Sequence, residues 1–479
     1  MTPACRPSGP TSRATIVGIV QTTSRSPALP VHLDRTAATP LPAQLAADVR
    51  RLVAAGTLRR GVRLPASRAL ALELGVSRSV VTQAYEQLVA EGWLDASHGS
   101  GTFVAGTATA HPSPAVAQQG AAKRSDPRLV RLDTGTPWID PRHRAGWSRA
   151  WRDVAAATPP AGYDDPCGIP DLRAAIAERL GRLRGVECGA DDVVVTQGTT
   201  DGLRALLEVL PAGAVAVEDP GYRAAVATVR SAGRAVVDVP ARGTPTVPPD
   251  VVATYVTPAH QHPLGHVLPA ADRVALLAAA RERGAVVVED DYDSEFRYDV
   301  APVPALASLD RTGVAYLGTA SKSVSPSLRL GWLVPPPHLL DAVRSARAVR
   351  HEGISWPVQR AFLSMLRDGY VDRVVRSARR VYADRAPRVA GVLAPHAEPA
   401  GPSAGMYSTW LLPPDRADAA VRSAARAGFD VPLLSDYARS SGLTGLVVGF
   451  GGVSDVELDA ALGALVRGLV DRPSRRRSH

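Results

Sequence analysis

Two lysines stand among the 55 basic residues, Lys123 and Lys322, so Lys322 is the one lysine of the long C-terminal body. It follows a β-branched run at 314–317 in Thr319-Ala320-Ser321-Lys322, and Arg329 lies seven residues further on. Another run, 193–196, leads into Gly198-Thr199-Thr200 at the head of an amphipathic segment. Free N–H groups and a hydroxyl at a helix start make a seat for phosphate. A third run, 285–289, ends in Glu289-Asp290-Asp291-Tyr292-Asp293. A lysine nucleophile, an acid facing a pyridine nitrogen and donors to a phosphate are what a pyridoxal phosphate site needs. Ser321 and Arg329 can serve that phosphate from the lysine's side. Each piece alone is commonplace. Their order, at the ends of successive strands where ligands of such sheets collect, carries the reading.

A second kind of chemistry is concentrated at the other end. Residues 1–130 hold 14 basic and 7 acidic side chains, which leaves the remaining 349 almost neutral within the overall +9. Such asymmetry suits an anionic partner, nucleic acid first. Two short helical stretches meet at Gly75-Val76, with Ser67 and Ser77 as expected caps, in helix-turn-helix proportions. Arg78 and Ser79 begin the second stretch, where side chains reach base edges, and Thr82 is one turn on. Arg68 on the first suits a phosphate or a guanine edge. The tip Gly99-Ser100-Gly101 between two short runs can approach phosphate or a minor groove.

These groups need a scaffold, and 479 residues is roughly three typical domain lengths. Residues 1–28 read as a disordered arm, 29–105 as the DNA-reading domain and 106–130 as a linker rich in Ala, Pro and Gln. From 131 to 470 β-branched runs (193–196, 214–217, 235–239, 252–256, 285–289, 314–317, 330–334) alternate with amphipathic helices such as 171–184 and 200–210. This is α/β patterning with a mixed, mostly parallel sheet covered on both faces. About 375–470 is expected to form a smaller subdomain, and 471–479 a basic, solvated tail. Cys5, Cys167 and Cys188 are too few and too scattered for a disulfide framework or a zinc site. No metal is expected. No stretch has the length of a membrane span, and a cytoplasmic location is expected.

The phrases Leu64-Pro65-Ala66-Ser67-Arg68, Leu74-Gly75-Val76-Ser77-Arg78 and Gly99-Ser100-Gly101-Thr102-Phe103-Val104 resemble the winged helix-turn-helix of GntR-type transcriptional regulators. Tyr163-Asp164-Asp165-Pro166, Thr257-Pro258-Ala259-His260-Gln261-His262-Pro263, Glu289 to Tyr298 and Ser321-Lys322 to Gly331 resemble the fold-type I aminotransferases, and the fusion resembles the MocR/GabR subfamily. By that resemblance Lys322 holds pyridoxal 5'-phosphate covalently and Asp290 pairs with the pyridine nitrogen. Tyr292 approaches the ring hydroxyl, and Tyr222 stacks on the ring. Gly198, Thr199, Thr200, Ser321 and Arg329 surround the phosphate. Arg68, Arg78, Ser79, Thr82, Ser100 and Gly101 contact a double-stranded operator, and a homodimer is expected.

Two positions depart from the pattern. His262 stands where relatives carry Asn or an aromatic. Val447 stands where carboxylate-binding members place an arginine, whose two-pronged contact valine cannot replace. Arg439 lies near in sequence as a conceivable substitute. The expectation is a regulator that senses pyridoxal phosphate or an aldimine-forming ligand, without physiological turnover, suited to control of vitamin B6 synthesis. The alternatives are a GABA-like amino-acid response, a working aminotransferase with a DNA-binding module, and a purely structural cofactor.

Overall fold

The computed structural model describes residues 29–470, apart from positions 32, 36, 38, 60, 98–100, 106–125, 299–303 and 403. The arm, most of the linker, the tail and Ser100 at the wing tip lie outside the described residues.

The N-terminal helices are α1 (Leu41–Ala54), α2 (Ser67–Leu74) and α3 (Arg78–Ala90), followed by the antiparallel strands β1 (Leu94–Ser97) and β2 (Gly101–Val104). Leu45, Val49 and Leu52 of α1 and Val81, Ala84, Tyr85 and Leu88 of α3 bury one stripe each and share a core with Trp93. Gly75 ends α2 at φ 63°, the left-handed cap expected of it. Of the two expected serine caps, Ser77 takes the N-cap position without a side-chain bond to the backbone, and Ser67 does not take it. Ser67 is the first residue of α2, behind Ala66, and Ser77 at the N-cap of α3 bonds to the Ser79 hydroxyl at 2.7 Å instead of to the backbone. Ser77 is exposed and Ser67 half-buried, so water can serve the free N–H groups.

The large domain is built on β3 (Val130–Arg131), β4 (Val194–Thr196), β5 (Ala214–Asp219), β6 (Val236–Pro240), β7 (Val251–Val256), β8 (Val286–Asp291), β9 (Val314–Thr319) and β10 (Gly331–Val334). Seven of these form one sheet in the order β4-β10-β9-β8-β7-β5-β6. Every pair is parallel except those of β10, which runs antiparallel to both β4 and β9. Apolar side chains cover both faces, so the strands read as continuous Val-rich runs. Helices α4 (Arg144–Ala156), α5 (Pro170–Arg184), α6 (Thr199–Val209), α7 (Arg223–Ser231) and α8 (Ala270–Arg283) pack on them. Arg234 closes the C-terminal end of α6, donating to the carbonyls of Leu207 (2.5 Å), Leu210 (2.7 Å) and Pro211 (2.5 Å). Towards the C-terminus, Tyr407–Leu411 pairs antiparallel with Gly445–Gly449. Among the described residues no helix is long and apolar enough to cross a membrane, and no His/Cys/Asp/Glu group could hold a metal.

Candidate functional site

The ends of β4, β8 and β9 converge, bringing Thr199 and Lys322 within reach of Asp290. Lys322 follows β9, and its Nζ donates to the Gly135 carbonyl at 2.9 Å. Burial lowers its pKa, while Asp133, Asp293 and Asp290 pull the other way. Asp290, on β8, is 2% exposed and takes the Tyr255 hydroxyl on one oxygen. Its Oδ1 has no partner of hydrogen-bonding geometry. The Thr199 hydroxyl also acts on this buried carboxyl, and the charge of Lys322 reaches it.

The residues expected to seat a phosphate lie at the start of α6 and beside it. Gly198, at φ 108°, caps α6, and Thr199 and Thr200 open the helix. The Arg329 guanidinium lies about 4 Å from where a Gly198 Cβ would be, and a Cβ on Gly331 would meet Gly198 Cα at 2.7 Å, so glycine is needed for the backbones to meet. Ser321 Oγ accepts from Thr319 at 2.8 Å. Arg329 sits two residues before β10, after a 3-10 turn, in left-handed conformation at φ 50°.

The loop after β7 supplies the other wall. His262 is 5% exposed, and edge-on contacts to Tyr222, Tyr292, Tyr407 and Tyr437 place it at the centre of four phenol rings. Burial pushes its pKa down to about 3, so the imidazole is neutral, and its Nε2 has no partner. The Tyr292 hydroxyl bonds the His260 carbonyl at 2.8 Å and the Tyr407 hydroxyl at 2.7 Å. His260 pairs in turn with Asp293 at 2.6 Å. Tyr255, Tyr407, Tyr437, His260 and Asp293 were not singled out from the sequence; the phrase Thr257 to Pro263 around His260 and the acidic run around Asp293 were the signals on offer.

Val447 is fully buried in the strand Gly445–Gly449, opposite Thr409. Arg439 does not take over its role: the guanidinium binds Asp238 at 2.5 Å and the carbonyls of Val217 and Glu218 at 3.2 and 2.8 Å. It is a strut between two strand ends.

Burial raises the Asp290 carboxyl from 3.8 to about 7, with Tyr255 and Thr199 opposing. The folded chain therefore holds a proton that the unfolded chain releases between these values, and stability falls as pH rises across that window. Glu218, raised by burial from 4.5 to about 7, acts in the same direction. Urea midpoints of the cofactor-free wild type should decline from pH ~4 to ~7 relative to those of Asp290→Asn. Parallel curves for the two proteins would contradict the raised pKa.

On the winged helix Arg68, Arg78 and Ser79 are exposed and Thr82 is half-buried, all on or near the outer end of α3. Arg78 Nε also leans on Ser67 Oγ at 3.4 Å. Gly101, at φ 111°, leaves room for Arg63, whose Nε would lie 2.8 Å from a Cβ there. Arg63 faces the Phe103 ring at 6.0 Å and adds an exposed cation to the wing that sequence reasoning missed.

A winged helix joined to an aminotransferase fold, with one half-buried lysine in the large domain, defines a DNA-binding regulator on an enzyme scaffold. Residues 41–104 match the family "Bacterial regulatory proteins, gntR family", and residues 130–437 match "Aminotransferase class I and II". The chain is 34% identical over 431 residues to the HTH-type pyridoxine biosynthesis transcriptional regulator PdxR of Corynebacterium glutamicum, covering 88% of this chain and 94% of that one. It is 36% identical over 381 residues to the probable rhizopine catabolism regulatory protein MocR of Rhizobium meliloti, covering 74% and 77%. The fold is that of LysN, an α-aminoadipate aminotransferase from Thermus thermophilus, with a TM-score of 0.63 and 24% identity over 72% of this chain and 92% of that one. The chain belongs to the MocR/GabR subfamily of GntR-type transcriptional regulators, which carry an aminotransferase domain.

Proposed function

We propose that the chain is a regulator whose operator affinity is set by pyridoxal 5'-phosphate bound in the pocket at Lys322. The observation that carries this is the pairing of a half-buried lysine and a buried Asp290 carboxylate with a helix start that can seat a phosphate, while Val447 stands where, by the family resemblance, a carboxylate-binding arginine is expected. In this reading Lys322 holds the cofactor covalently and Asp290 meets its ring nitrogen. Tyr222 and His262 flank the ring, and Tyr292 stands near the ring hydroxyl. Gly198, Thr199, Thr200, Ser321 and Arg329 take the phosphate. When bound, the cofactor supplies a carbonyl that condenses with amines and a ring that withdraws electrons. The protein's part is to bury the lysine, keep His262 uncharged and exclude water with the tyrosine ring. Leaving an amino-acid carboxylate unmatched in such a pocket costs several kcal/mol, about enough to weaken binding a thousandfold. Turnover of ordinary amino acids is therefore not the role of this site. The name of the C. glutamicum relative supports vitamin B6 synthesis as the regulated process.

On DNA, α3 would read the major groove and Gly101 and Arg63 would present the wing. Arg78→Ala should weaken operator binding by about 1–3 kcal/mol and relax sequence preference, measured by competitive titration against mutated sites. Unchanged affinity and preference would remove α3 as the reader. Two readers call for paired half-sites and hence a homodimer. Tyr163, 98% exposed beside His351, and the exposed Val349 give the large domain an uncovered aromatic and aliphatic edge suited to that contact. A regulator of this kind works where the DNA is, in the cytoplasm.

The deciding experiment titrates one operator with cofactor-free protein, loaded protein, and loaded protein plus a panel of amino acids. Cofactor loading should shift affinity at least about fivefold, and the panel should add little. A second reading, response to an amino-acid carboxylate, is favoured by Arg223, an exposed guanidinium 4.7 Å from the centre of the Tyr437 ring. A large effect of one amino acid with none from loading would select it.

A further inference from the structure

The loop from Thr257 to Ala270 has two ends that face different parts of the molecule. Its start carries His260, Gln261 and His262 into the ring pocket, and Thr257 Oγ1 holds the His262 N–H at 2.9 Å. Its finish, Leu268-Pro269-Ala270, enters α8 beneath the winged helix, where the Ala270 N–H donates to the Gly92 carbonyl at 3.2 Å. Ala270 is 1% exposed and belongs to the apolar core of the winged helix, with Val274 and Leu309 packed on it. Gly92 has φ 74°, and a Cβ there would lie 2.9 Å from Pro269 Cα, so the close approach requires glycine.

The two ends are stapled. The Pro258 carbonyl accepts from the Leu268 N–H and from Arg273 Nη2, both at 2.9 Å. Arg273 Nε reaches the Leu268 carbonyl and Nη1 the Pro304 carbonyl, each at 2.8 Å. A guanidinium 1% exposed that divides its rigid fork among three carbonyls makes the pocket end and the α8 end move as one body. Opposite stands Glu91, the C-cap of α3 and fully buried. It faces Arg50 at 3.3 Å and takes a bond from Gln87 at 2.9 Å, and the charges of Arg273 and Arg297 act on the same carboxyl. The helix that presents Arg78 to DNA thus ends on the loop that presents His262 to the cofactor pocket.

We infer that the loop 257–270, braced by Arg273, is the element through which the cofactor pocket sets the orientation of α3, with Glu91 and Gly92 as its receiving edge. The inference rests on the proposed cofactor control of DNA binding. A ligand biases such a unit only through different contacts in its two states, and His262 at the loop's pocket end is where those contacts differ.

The test uses the full chain, pyridoxal 5'-phosphate, and a duplex that the wild type selects from a random pool. Glu91→Gln and Gly92→Ala should keep the visible absorbance of the bound cofactor and its affinity within about twofold, while the cofactor-induced change in duplex affinity falls from at least about fivefold to nearly none. An unchanged cofactor response in both variants would overturn the inference. If Gly92→Ala fails to fold, Glu91→Gln, which keeps the Gln87 contact, decides alone. Hydrogen exchange separates this idea from the reading beneath it. In the wild type, loading should alter protection of amides 88–94 together with 261–268; a change confined to 261–268 sinks the inference. If duplex affinity ignores the cofactor while amides 88–94 still respond, the mechanical link stands and the regulatory reading falls.

Discussion

Lys322→Ala is expected to lose the visible absorbance of the lysine-bound cofactor entirely and to retain no cofactor covalently after borohydride reduction. The other lysine of the chain, Lys123, lies in the linker, so no second amine of the large domain can take its place. The side chain is poised by its surroundings: burial favours the free amine, and the Gly135 carbonyl fixes Nζ near Asp290. The phosphate seat survives the substitution, so the cofactor should still bind non-covalently, weaker by at least about tenfold, or ~1.4 kcal/mol. Lys322→Arg is the control that keeps a cation but supplies no condensing amine. Covalent retention in either variant would displace Lys322 from its role.

Arg184→Ala should be the most destabilising single change outside the pocket. Arg184 Nε lies 2.6 Å from Asp291, and both side chains are buried. The Tyr316 hydroxyl donates to the same carboxylate at 2.5 Å. Two residues before it on β8, Glu289 is fully buried, held by the N–H groups of Leu306 and Ala307 at 2.9 and 3.0 Å. Removing the guanidinium leaves Asp291 without its cation and takes from Glu289 one of the two, with Arg273, that act on it. The loss should be about 3–5 kcal/mol, read from urea midpoints, with Arg184→Lys in between because it keeps charge and loses the fork. A loss under ~1 kcal/mol would mean that the pair is not what holds β8. Because β8 also carries Asp290, cofactor affinity should fall with stability.

Both predictions draw on residues of unequal visibility in the sequence. Lys322, Gly198, Thr199 and Thr200 are legible because their chemistry is local: a lone lysine, and one turn of backbone that needs a glycine and offers N–H groups. The alternation of Val-rich runs with amphipathic helices likewise announces the layered sheet. The antiparallel insertion of β10 between β4 and β9 is silent, since a two-residue period gives no direction along the strand. Tyr255 and Tyr407 look like ordinary aromatics of buried strands; only register places one on Asp290 and the other on Tyr292. Arg439 shows the converse. Closeness in sequence to Val447 made it a conceivable substitute, and its bonds to Asp238, Val217 and Glu218 commit it elsewhere.

Helix α6 has a consequence at the bench. Its C-terminal carbonyls are neutralised by Arg234, whereas the N–H groups beyond Gly198 face the pocket with Arg329 beside them. A helix start with a guanidinium beside it attracts anions from solution, even with Asp201 in its first turn. Inorganic phosphate or sulfate in a buffer is thus a competitor at the seat, and a titration of cofactor-free protein in such a buffer measures exchange of one anion for another. Its midpoint will drift with buffer concentration, and values from different salts become comparable only after extrapolation to none.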